Sequence, residues 1–200
     1  MRMWLLFFAL FVGSQVVAEE LPQLATELEA MFTADQALRE EILELEKLEG
    51  PDSEAVAKLW EKQTELDGGN IQRLLEIIER HGWPRISAVG RKAALAAFLV
   101  VQHAEPSIQK QLLPILRKEA AHGEVKLSSL ALLEDRVLTS EGKPQLYGSQ
   151  LHLDPECGKM EFFPIQEEDS VNARRASVGL EPIEDYARRF GLEYKPGKDG

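Results

Sequence analysis

A chain of 200 residues, 44% hydrophobic and 28% charged, has the length and composition of a globular protein, and its net charge of −11 argues against a phosphate backbone as partner. The single cysteine, Cys157, allows no internal disulfide, so packing must hold the fold together. Charge is uneven: residues 19–67 carry fifteen acidic and four basic side chains, and the chain beyond them is nearly neutral. With no clustered Lys and Arg, neither nucleic acid nor an anionic membrane surface is an expected partner.

The first eighteen residues have the layout of a cleavable export signal. Arg2 supplies the positive start, Trp4 to Val12 is an uninterrupted apolar run, and Val16-Val17-Ala18 puts small residues at the cleavage positions. The run falls short of the roughly twenty residues that a membrane-spanning helix needs. The expectation is a chain exported to the periplasm or the exterior, cut near Ala18, with no stable membrane anchor afterwards.

Beyond it, Leu24, Leu28, Met31, Leu38, Ile42 and Leu45 form one helical stripe over 21–49, interrupted at Asp35. Thr33 and Gln36 resemble a capping box there and suggest two helices. Gly50-Pro51 ends the stretch; a helix capped by Asp52 or Ser53 then runs to about Leu66 and stops at Gly68-Gly69. Asn70 caps the next, which closes at His81-Gly82-Trp83-Pro84. Gly90 to His103 is apolar on every side and reads as the central buried helix.

Pro106 opens a helix to about His122, bent at Pro114, and Lys126 to Thr139 forms another. Gln145 to Leu153 and Met160 to Ile165 read as two strands around an Asp154-Pro155…Gly158 turn, followed by short helices at about 170–178 and 183–190. The predicted fold is mainly α: a compact multi-helix domain with a small β-hairpin near 145–165. The acidic helices of 19–67 and the body at 68–195 are expected to form a single domain.

Candidate chemistry comes from polar residues at positions that should be buried. Gln102-His103 ends the apolar helix, and imidazole is the side chain suited to proton transfer near neutral pH. Asp135 and Arg136 point about 100° apart on their helix, so each needs another partner. Tyr147 and Gln150 can read a hydroxylated or amide-bearing ligand, or equally satisfy loop backbone. Arg174-Arg175 can clamp an anion, and Asp35 is a candidate partner for either arginine. The four histidines lack metal-ligand spacing, so neither a metal nor a cofactor is expected.

The strings His81-Gly82-Trp83-Pro84, Gln102-His103-Ala104, Leu133-Glu134-Asp135-Arg136, Tyr147-Gly148-Ser149-Gln150, Val171-Asn172-Ala173-Arg174-Arg175 and Val178-Gly179-Leu180 occur in an order that resembles an uncharacterised family, domain of unknown function 6624. The resemblance runs from about Asp35 to Tyr186, with Ser149 where Thr is more often expected. It implies one compact domain and supplies no activity or catalytic residues.

Three readings stand at this point. An exported binding module would hold a small polar ligand with Gln102, His103, Arg136, Tyr147 and Gln150. A hydrolase or lyase would use His103 as general acid or base, oriented by Asp135, with Arg136 or Arg174 stabilising negative charge. A docking protein would present the acidic helices of 21–66 to a protein partner. No oligomeric state follows from the sequence.

Overall fold

The computed structural model describes residues 6–154 and 158–194, with side chains from residue 21 onward. Arg2 and Trp4 of the export signal, Pro155 and Cys157 of the expected turn, and the tail from Lys195 lie outside the described residues. Seven α-helices and one two-stranded hairpin are present among those described, the mainly α fold with a small hairpin that the residue pattern predicts. None of the described helices is long and apolar enough to cross a membrane. The chain divides into two compact units, the first ending at Ala104 and the second beginning at Glu105.

The first unit is built from three helices, α1 (Leu6–Glu49), α2 (Glu54–His81) and α3 (Ile86–His103), each in contact with the other two. In α1 the buried positions Leu24, Leu28, Asp35 and Ile42 follow one stripe. The predicted break at Asp35 is absent. The Thr33 hydroxyl donates back to the Glu29 carbonyl at 2.9 Å instead of capping a new helix. Asp35 stays on the buried face because its carboxylate finds hydrogen-bond donors there.

Ser53 caps α2 by accepting from the Val56 amide at 3.2 Å. The helix then runs straight through Gly68-Gly69, where the sequence predicts a stop. Its buried residues Val56, Leu59, Gln63, Asn70, Leu74 and Ile77 keep one helical phase across the glycines. Two glycines cost a helix about 2 kcal/mol relative to alanine, less than burial of a continuous apolar face returns. Gly82, at φ 76°, ends the helix, with its amide on the Ile78 carbonyl. In α3 the chain kinks at Gly90 (φ 82°), and the alanine-rich turns beyond it are buried. Leu95 nevertheless remains exposed.

The second unit opens with α4 (Pro106–Ala121) and α5 (Leu127–Ser140), which pack on each other; Leu112, Leu116, Leu130 and Leu133 are buried on them. The hairpin pairs β1 (Leu151–Leu153) with β2 (Met160–Phe162), antiparallel, with His152 opposite Glu161. Two short helices follow, α6 (Val171–Ser177) and α7 (Ile183–Arg188). Ile165, Val171 and Ile183 make a small core against Phe162 and Tyr194.

The predicted first strand began at Gln145, but residues 146–150 do not pair as strand. Their amides go elsewhere. Leu146, Tyr147 and Ser149 donate to the carboxylate of Asp135, and the Gln150 amide donates to the side chain of Gln145. An acceptor supplied by a neighbouring helix thus replaces the partner strand.

Candidate functional site

In the second unit, Asp135 lies on α5 with its side chain fully buried. One carboxylate oxygen accepts from Leu146 at 2.7 Å and Tyr147 at 3.0 Å, the other from Tyr147 at 3.1 Å and Ser149 at 3.0 Å. Burial pushes the Asp135 carboxyl above the usual range, against the opposing pull of those amides. On the other side of the same loop stands Arg175, 1% exposed. It donates to the carbonyls of Tyr147 at 2.7 Å and Glu181 at 2.6 Å, and its guanidinium lies 4.9 Å from the Tyr186 ring centroid. Burial lowers its pKa from the ordinary arginine value.

Arg174 adds a 2.7 Å bond to the Leu146 carbonyl and a second to the carbonyl of Gln166. The loop is therefore held by its amides on a buried anion and by its carbonyls on two arginines. Gly148 sits at its centre with φ +65°, and a Cβ there would meet the side chains of Ile183 and Ile165. The Tyr147 hydroxyl donates to Glu134 at 3.4 Å, and the side-chain Nε2 of Gln150 donates to the Ser149 hydroxyl at 3.0 Å. Arg136 is exposed on α5. Asp135, Arg174 and Arg175 are thus engaged with backbone, and they form a scaffold for the Tyr147-Gly148-Ser149 loop.

His103 belongs to the first unit, where the third helix ends. Its Nδ1 lies 3.5 Å from Oδ1 of Asp35. Asp67, from α2, completes the group: one ligand-type atom from each of Asp35, Asp67 and His103 lies within 4.8 Å of the others. Arg39 joins the two carboxylates, donating from Nε to Asp35 at 2.9 Å and from Nη2 to Asp67 at 2.9 and 3.0 Å. Gln63 does the same with one amide nitrogen, 2.9 Å from Asp35 Oδ1 and 2.9 Å from Asp67 Oδ1. Gln36 donates to the remaining Asp35 oxygen at 2.7 Å.

Asp35 is buried at the base of this centre, while Asp67 and His103 have side chains 22% and 23% exposed. A small pocket opens over them, walled by Phe32, Leu99 and Val100. Its cavity volume of about 10 Å³ is close to what a single water occupies. Two carboxylates face one arginine, so with a neutral imidazole the centre carries one negative charge in excess. Such an arrangement can hold a proton or a small cation.

Of the residues nominated from sequence, His103 and Asp35 come together in this centre. Asp67, Arg39 and Gln63 were missed. Asp67 precedes a Gly-Gly pair and reads as a helix terminus. The spacings Asp35 to Arg39 and Gln63 to Asp67, each one helical turn, are the signal that marks them.

The family of unknown function DUF6624 matches residues 22–195. The chain belongs to that family. The residues of the Asp35–Asp67–His103 centre and of the Asp135–Arg175 scaffold lie within the matched span. No curated protein and no solved structure matches the chain.

Proposed function

We propose that this DUF6624 protein is an exported binding protein whose working centre is the Asp35–Asp67–His103 pocket of the first unit. The signal-like segment ending at Ala18 supports export. The observation that carries the binding reading is the convergence of three ligand-type groups within 4.8 Å, from three helices, beneath a pocket of one-water size. The excess carboxylate selects for positive charge, and the volume limits the captured part of the ligand to a single cationic centre. The loop around Tyr147 serves as a rigid structural element of the second unit.

A thermal-shift screen of the full chain against ammonium, methylammonium and simple metal ions tests this reading. Stabilisation of the native chain that disappears in Asp67→Asn supports it. If no cation stabilises the protein, the reading fails. A second reading keeps His103 as a general acid or base, oriented by Asp35 instead of Asp135, and it is favoured by the 3.5 Å approach of Nδ1 to the carboxylate. Turnover of a hydrolysable substrate that is abolished in His103→Gln would select it.

A further inference from the structure

Resting on the binding reading above, we infer that the cation held by Asp35, Asp67 and His103 is a divalent transition-metal ion of the zinc type. The donor set points there. Imidazole nitrogen favours zinc and its neighbours over calcium and magnesium, which prefer all-oxygen cages. Two carboxylates supply the charge that balances a divalent ion. Three protein ligands and an open fourth position form the usual shell of a zinc site that exchanges water or ligand.

The distances agree with that chemistry. Bonds of about 2.0–2.2 Å to a tetrahedral ion place its donors about 3.3–3.6 Å apart. His103 Nδ1 and Asp35 Oδ1 already lie 3.5 Å apart. The three atoms all fall within 4.8 Å, so closure onto one ion requires rotation of side chains by about an ångström. Asp67 and His103, the two more exposed members, face the route from solvent.

Gln63 gives an independent pointer to a cation. Its side chain is 1% exposed, and its Oε1 is buried without a hydrogen-bond donor among the described residues. A half-turn of the amide puts that oxygen where the nitrogen now sits, 2.9 Å from an oxygen of each aspartate. Three oxygens so placed repel one another unless a cation lies among them. Arg39 is the cation that bridges the carboxylates when no metal does so, and an incoming ion competes with it.

Calorimetric titration of the chelator-treated full chain with Zn2+, Mn2+, Ca2+ and Mg2+ tests the inference, with circular dichroism confirming that each variant folds. Zn2+ is expected to bind one to one, Ca2+ and Mg2+ at least tenfold more weakly. Asp67→Asn and His103→Gln should each weaken Zn2+ binding by at least about 10- to 100-fold, the loss found when only the partners behind metal ligands are removed. Arg39→Gln should bind Zn2+ at least as tightly as the native chain, because the competing cation is gone. Equal Zn2+ binding by the native chain and both ligand variants overturns the inference, since the ion would then sit elsewhere. Calcium or magnesium binding that needs Asp67 but not His103 overturns the metal class and leaves the binding centre standing. Absence of any cation binding removes both.

Discussion

Gly148→Ala isolates the tightest point of the second unit, and its effect can be worked out in parts. The residue holds φ at +65°, a conformation that costs an L-residue about 1–2 kcal/mol. The added methyl also lands on the Cδ1 atoms of Ile183 and Ile165, the second at 2.9 Å. Overpacking of that kind costs a further ~1–3 kcal/mol. The sum, ~2–5 kcal/mol, should appear in urea unfolding as a lower midpoint at unchanged slope. The steric part can be removed separately. Ile183→Val deletes the Cδ1 atom that the new methyl strikes and by itself costs ~0.5–1.5 kcal/mol. In the double variant the clash with Ile183 is relieved while the backbone strain persists, so the two losses should add to less than their sum by at least ~1 kcal/mol. A loss below ~1 kcal/mol for Gly148→Ala, or strict additivity with Ile183→Val, would refute the reasoning.

Other perturbations probe separate parts of the account. Gly68→Ala and Gly69→Ala should each stabilise the first unit by about 0.5–1 kcal/mol, because both glycines are helical and a Cβ at either meets nothing within 4 Å. Destabilisation in a thermal melt would show that α2 needs the glycines. Arg175→Lys should cost ~3 kcal/mol or more, since an ammonium cannot reproduce the bonds to the Tyr147 and Glu181 carbonyls from one buried position. A near-native urea midpoint would contradict the scaffold role. Glu27 is held below its ordinary value chiefly by its hydrogen bond to Arg73, with burial opposing. Its folded pKa is therefore depressed, and its contribution is complete above the ordinary value of 4.5 and fades as pH falls through the depressed one. Glu27→Gln should flatten that part of the acid limb of a stability–pH curve, and an unchanged limb would remove the pair from the account.

Helix ends were legible where local chemistry decides them. The His81-Gly82-Trp83-Pro84 stop, the Ser53 cap and the apolar run after Gly90 all stand where residue type places them. Three features were misread for one reason: a local signal was overruled by a distant partner. Gly68-Gly69 reads as a terminus, yet the buried stripe on either side stays in phase and carries α2 through. Asp35 reads as an interruption because the donors that keep it on the buried face, Gln63 and Arg39 foremost, are invisible as such in the string. Gln145 to Gln150 has strand-like alternation, but a carboxylate on α5 takes its amides first.

The site was legible only in part. His103 and Asp35 stand out singly, as polar residues on apolar faces, but nothing in their 68-residue separation announces that they meet. Asp67 carries only a weak local mark, its one-turn spacing from Gln63. Its role depends on α2 continuing past the glycines, which is itself a tertiary effect. Asp135, Arg174 and Arg175 were conspicuous for the same reason as His103, and the buried charge of Asp135 and Arg175 and the half-buried one of Arg174 have a sufficient structural explanation in the loop they hold.

The account rests on Asp35, Asp67 and His103 sharing one ion, and X-ray absorption at the zinc edge of the zinc-loaded full chain tests that most directly. The expected spectrum has a first shell of nitrogen and oxygen alone at about 2.0–2.1 Å, with outer-shell scattering from one imidazole that is lost in His103→Gln. A sulfur shell at about 2.3 Å, which would place the ion on Cys157, or imidazole scattering that survives His103→Gln, would contradict it.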